Sequence, residues 1–69
     1  MRFNKAIEYM WDGGKVKLKI WTDDVFISAQ FPDEHSKMTH PYLYVTSRFG
    51  KVPWLPNQVE LFSKEWVLL

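Results

Sequence analysis

The stretch KVKLKIW, residues 15–21, decides how this chain folds. Read as a β-strand, it turns Val16, Leu18 and Ile20 to one side and Lys15, Lys17, Lys19 and Trp21 to the other. The first side is a core face. The second is a row of lysines ending in a tryptophan, which suits a solvated sheet face, a guard against edge pairing, or half of a site for a flat anion.

The pattern on either side of this strand sets the fold class. Upstream, Phe3, Ala6, Ile7, Met10 and Trp11 recur at helical spacing, and Asp12-Gly13-Gly14 ends that helix. Downstream, Thr22-Asp23-Asp24 is turn chemistry. VFISAQF (25–31) alternates as a second strand, with Val25, Ile27, Ala29 and Phe31 on one face. The polar segment 32–41 lies between prolines and reads as a loop, and YLYVTS (42–47) is a third strand. Residues Arg48-Phe49-Gly50-Lys51 form a tight connection into Val52-Pro53-Trp54. Asn57 with Glu60 three residues later is a capping box that opens a short helix. Glu65–Leu69 reads as a terminal strand. The expected fold is α+β, a single small domain over 1–69: an N-terminal helix packed on a small antiparallel sheet, a short second helix near the C-terminus, and a terminal strand.

Composition limits the functions available. The 69 residues contain no cysteine, so neither a disulfide nor a thiolate metal site can staple the fold. Small unstapled folds gain stability by oligomerising. Four Trp, five Phe and three Tyr are more rings than so small an interior can hide. A homo-oligomer is therefore expected, with some rings at a subunit interface or ligand pocket. Nine Lys plus Arg against eight Asp plus Glu is too balanced for a duplex nucleic-acid binder, although a small anion needs only local positive charge. No apolar run has transmembrane length and no signal segment is present, so no membrane partner and a cytoplasmic location are expected.

Enzyme motifs are scarce. Asp12-Gly13-Gly14-Lys15 lacks the spacing of a phosphate loop. His35 and His40 stand in a polar loop without a third fixed ligand, so no metal is expected. Neither histidine has a serine or carboxylate partner at a telling spacing. Asp23-Asp24 reads as a turn, not as a carboxylate pair. A binding protein without a cofactor, rather than an enzyme, is the expectation.

The ending GKVPWLPNQVELFSKEW (50–66) closely resembles that of a family of small phage and bacterial proteins, the second class of Thoeris anti-defence sponges. Gly50, Pro53, Trp54, Gln58 and Trp66 match its pattern, and Asn57, Glu60 and Glu65 replace Ser, Asp and Asp conservatively. Phe3 with Ala6 and Ile7, Gly14-Lys15-Val16, and Lys19 with Trp21 are similar to its opening elements. Ile20 stands where that family has Gly, Thr22-Asp23 where it has Asn-Gly, and the central loop is shorter. The resemblance implies a homotetramer of two dimers that holds cyclic nucleotide immune signals in pockets between subunits without cleaving them. Glycocyclic ADP-ribose is the known cargo class, and relatives also take cyclic dinucleotides.

Such a ligand needs an aromatic plate, a cation and polar edges. Trp21 is the first candidate plate, or else a lid closing the sheet over the first helix. Lys19 is the candidate phosphate partner, or else an exposed strand lysine; Lys15 and Lys17 read as solvated charge. Trp54 and Phe3 either stack on the ligand or pack. Asn57 and Glu60 cap the short helix, whose N-terminus also offers free N–H donors. Gln58 has no evident structural duty, Trp66 reads as core, and Arg48 and Thr46 are weaker polar candidates. The rival readings are a structural or protein-binding module with an aromatic recognition face and, more distantly, a hydrolase of the same messengers.

Overall fold

The computed structural model describes residues 1–69. The expected α+β fold is what forms: helix α1 (Phe3–Trp11), strands β1 (Val16–Leu18), β2 (Phe26–Gln30), β3 (Tyr42–Ser47) and β4 (Gly50–Pro53), helix α2 (Gln58–Phe62) and strand β5 (Trp66–Leu68). The five strands make one antiparallel sheet in the order β4-β3-β2-β1-β5. No helix is long and apolar enough to cross a membrane.

α1 ends where the sequence places its stop. Asp12 is the C-cap, and Gly13 follows at φ 96°, a conformation that costs a residue with a Cβ but not glycine. Gly14 serves a different purpose, because the Tyr9 ring lies where its Cβ would be. The Tyr9 hydroxyl then donates to the Leu69 carbonyl at 3.0 Å, joining the helix to the chain end beyond β5.

Ala6 and Met10 of α1, Val16 and Leu18 of β1, Ile27 of β2 and Trp66 of β5 form the buried core. Strand register explains the set: Val16 pairs with Ile27 and Leu68, and Leu18 pairs with Trp66, so the apolar members share the face that α1 covers. The helix lies over β5, β1 and β2. Its flank toward β3 is uncovered, leaving Ile7 and Trp11 exposed although they continue the apolar stripe. Trp11 meets Phe31 edge-to-face at 5.5 Å.

The strand expected over 15–21 is corrected. β1 stops at Leu18, and Lys19-Ile20 form a turn closed by the Trp21 N–H donating to the Leu18 carbonyl at 3.0 Å. Alternation therefore breaks at Lys19. Ile20, expected in the core, is 86% exposed, whereas Trp21 swings onto the core side. Lys17, expected to be solvated, is buried.

The tight connection after β3 is also corrected, since residues 50–53 pair with β3 as a further strand. Pro53 is tolerated because β4 is an edge strand. Gly50, at φ 122°, closes the hairpin opposite Ser47. α2 opens with the expected capping box: Asn57 Oδ1 accepts from the Glu60 N–H and Glu60 Oε1 from the Asn57 N–H, both at 2.8 Å.

Candidate functional site

Three of the predicted site residues meet around the buried Trp66. Phe3 lies 5.3 Å from the Trp66 ring centre, Trp54 5.7 Å and Trp21 5.5 Å, the two tryptophans both near perpendicular to it. Phe3 and Trp54 also touch each other at 5.7 Å. These residues are far apart in the chain, and each arrives by a separate route. Phe3 opens α1. Trp54 follows β4 and keeps its place by donating its N–H to the Leu43 carbonyl at 3.0 Å. Trp21 leaves the turn after β1.

Trp66 is fixed from its own side as well, because its indole N–H donates to the Glu60 carbonyl at 3.0 Å. That bond links the capping box of α2 to the aromatic cluster. The outer rings Phe3, Trp21 and Trp54 are half-buried, each with one part against the core and another toward solvent. A ring pinned in this way loses little freedom on stacking with a ligand.

The Trp21 turn has an unusual strut. The Lys17 ammonium donates to the Trp21 carbonyl at 2.7 Å and lies 3.4 Å from the Asp23 carboxylate. Asp23 is fully solvated, so most of what holds this ammonium is the carbonyl. Sequence reasoning missed Lys17. A lysine flanked by two lysines carries the signature of a solvated face, and only the break at Lys19 turns it into a brace.

The other predicted residues divide. Lys19 is exposed, and its N–H donates to the Glu65 carbonyl at 2.9 Å, which sets it beside the residue before Trp66. Asn57 and Glu60 are occupied by the capping box, and Gln58 is exposed in the first turn of α2. Thr46 and Arg48 are not brought to the cluster. Val45 pairs with the core residue Ile27, so Thr46 falls on the opposite face of the sheet. Its hydroxyl is buried there without a partner, as is that of Ser28. Arg48, in the β3–β4 turn, lies over the Phe49 ring at 5.1 Å. It also lends a small electrostatic attraction to Asp24, whose carboxyl is held below its ordinary range chiefly by the hydrogen bond from Thr22.

No set of three or more His, Asp and Glu side chains converges as a metal site, and His35 meets only the exposed Glu34 at 3.4 Å. Chemically, the arrangement offers stacking surfaces, nearby cations and main-chain polar groups. A comparison with curated proteins finds no match. The family model of the Thoeris anti-defense 2-like domain matches residues 1–69, the whole of the chain, and so agrees with the likeness carried by residues 50–66. The chain thus belongs to the Tad2-like family of Thoeris anti-defense 2-like domains, and its role is in anti-defence.

Proposed function

We propose that this protein is a sponge: it binds a cyclic nucleotide immune signal and holds it, uncleaved, in pockets between subunits of a homo-oligomer. The observation that carries this reading is the cluster of Phe3, Trp21 and Trp54 around Trp66, in a chain of the anti-defence family. Stacking a base on one such ring contributes roughly 1–3 kcal/mol. Sequestering a scarce messenger needs nanomolar affinity, about 12 kcal/mol. One protomer's half-buried rings are too few for that, which favours a pocket closed by a second copy.

The uncovered apolar surface supports assembly. Trp11, Val52, Leu55, Val59 and Phe62 are all more than half exposed, a heavy load for so small a protein in isolation. A tetramer, a cytoplasmic site of action and a glycocyclic ADP-ribose or cyclic dinucleotide cargo complete the proposal. The proposed role is binding without catalysis.

The test is retention and release. The protein is incubated with candidate cyclic nucleotides, freed of unbound ligand, and heat-denatured, and the released material is identified by mass spectrometry. The proposal expects intact messenger, and expects Trp21→Ala to abolish retention while the oligomer persists. Altered product would make the protein an enzyme; no retained nucleotide would favour a protein-binding module.

A further inference from the structure

The largest of the three clefts, about 400 Å³, lies where the start of α1 faces the end of α2. Arg2, Phe3 and Asn4 form one wall, and Phe62, Ser63 and Lys64 the other. The main chain holds these walls together: the Trp66 N–H donates to the Met1 carbonyl at 3.1 Å, and the Met1 amino group to the Lys64 carbonyl at 3.0 Å. The cleft is therefore a product of the fold, bridging opposite ends of the sequence.

Its lining has a consistent chemistry. Two cations and no carboxylate line it, and neither Arg2 nor Lys64 takes part in any ion pair. Ser63 Oγ accepts from the Glu65 N–H at 3.0 Å, which leaves its proton free to donate outward. The Asn4 amide makes no hydrogen bond within the chain. Phe62 exposes most of its ring, and Phe3 belongs both to this cleft and to the cluster around Trp66. Cations and neutral donors beside an aromatic wall are what a phosphate attached to a nucleoside requires. The volume falls within the range of small-molecule sites.

We infer that this cleft is the phosphate-binding end of a nucleotide site, with Arg2 and Lys64 as its two cations, Asn4 and Ser63 as neutral donors, and Phe3 joining it to the stacking rings. The inference rests on the nucleotide-binding reading above and moves the phosphate contact to residues that sequence spacing does not single out. Lys19 does not line the cleft.

The probe is ADP, which carries a base and two phosphates, with adenosine as its phosphate-free counterpart. Both are titrated calorimetrically into the intact oligomer. Arg2→Gln and Lys64→Gln are each expected to weaken ADP about tenfold, the double variant about a hundredfold, as for loss of charged hydrogen bonds. Adenosine binding stays unchanged, Arg2→Lys and Lys64→Arg recover most of the ADP affinity, and Lys37→Gln, at a lysine that does not line the cleft, has no effect. The inference is overturned if wild type does not bind ADP, if the double variant binds ADP as wild type does, or if adenosine weakens in parallel. Retention of an intact cyclic nucleotide by the double variant at wild-type strength would overturn this inference while leaving the sponge reading standing. Phosphate-dependent ADP binding without messenger retention would do the reverse.

Discussion

The ammonium of Lys17 donates to the backbone carbonyl of Trp21 at 2.7 Å. This contact spans the turn that ends β1, and it sets where the Trp21 ring leaves the main chain. Removing it should loosen the ring without emptying the core. Lys17→Met keeps most of the buried stem but leaves the carbonyl unpaired, for an expected loss of about 1–2 kcal/mol in denaturant unfolding. The Trp21–Trp66 cross-peaks in an NMR spectrum should weaken, while Lys17→Arg should retain them. Undiminished cross-peaks in Lys17→Met would show that packing alone positions Trp21.

Trp66 is the hub of the cluster and fully buried. Trp66→Phe removes ring area and the bond from its indole N–H to Glu60, so an expected destabilisation of about 2–3 kcal/mol follows. Thermal and urea unfolding measure it. A cost near zero would mean that Phe3, Trp21 and Trp54 close over the gap.

Asn57 has a structural duty whatever else it does. Asn57→Ala removes half of the capping box and should cost about 1 kcal/mol. Asn57→Ser should recover most of that, since a serine hydroxyl can accept from the Glu60 N–H. Equal losses in the two variants would mean that Asn57 works through something other than the cap.

Asp24 gives a pH signature. Its carboxyl is held below its ordinary value by the Thr22 hydroxyl first and, more weakly, by Arg48. A depressed folded-state pKa means stability that is present above the ordinary aspartate range and lost as pH falls through the folded value. Thr22→Val should move the Asp24 midpoint upward toward that ordinary range in an NMR titration. A midpoint that does not move would assign the depression to Arg48 and the backbone.

Much of the fold was legible because its signals are local. The helical spacing of Phe3, Ala6 and Met10, the stop at Asp12-Gly13-Gly14, and the Asn57–Glu60 box each lie within a few residues. β2 alternates clearly enough to be read directly, and the run YLYVTS marks β3. The errors fall where local signals end. Lys19-Ile20 carries no Gly, Pro or Asn to announce a turn, so alternation ran on past Leu18. It thereby placed Ile20 in the core and Lys17 in water. β4 went unread because residues 48–51 carry the look of a connection, while its pairing with β3, with Pro53 tolerated at the sheet edge, is set by the fold.

The aromatic cluster was legible in its members more than in its arrangement. The resemblance carried by residues 50–66 and the opening Phe3 drew attention to Phe3, Trp21 and Trp54, which the fold gathers on Trp66. Thr46 and Arg48 are polar residues at the end of the third strand, and strand register sends Thr46 to the other face. Arg2 and Lys64 share no spacing signal, since only the laying of Met1 against the segment before β5 makes them neighbours.

Sequestration is tested most directly by affinity. Equilibrium dialysis of glycocyclic ADP-ribose and of cyclic dinucleotides against the purified protein yields Kd and the ligand-to-protomer ratio together. At least one cyclic nucleotide is expected to be held with Kd on the order of nanomolar, near saturation once pockets and ligand are equal. Binding no tighter than micromolar for every cyclic nucleotide would contradict it.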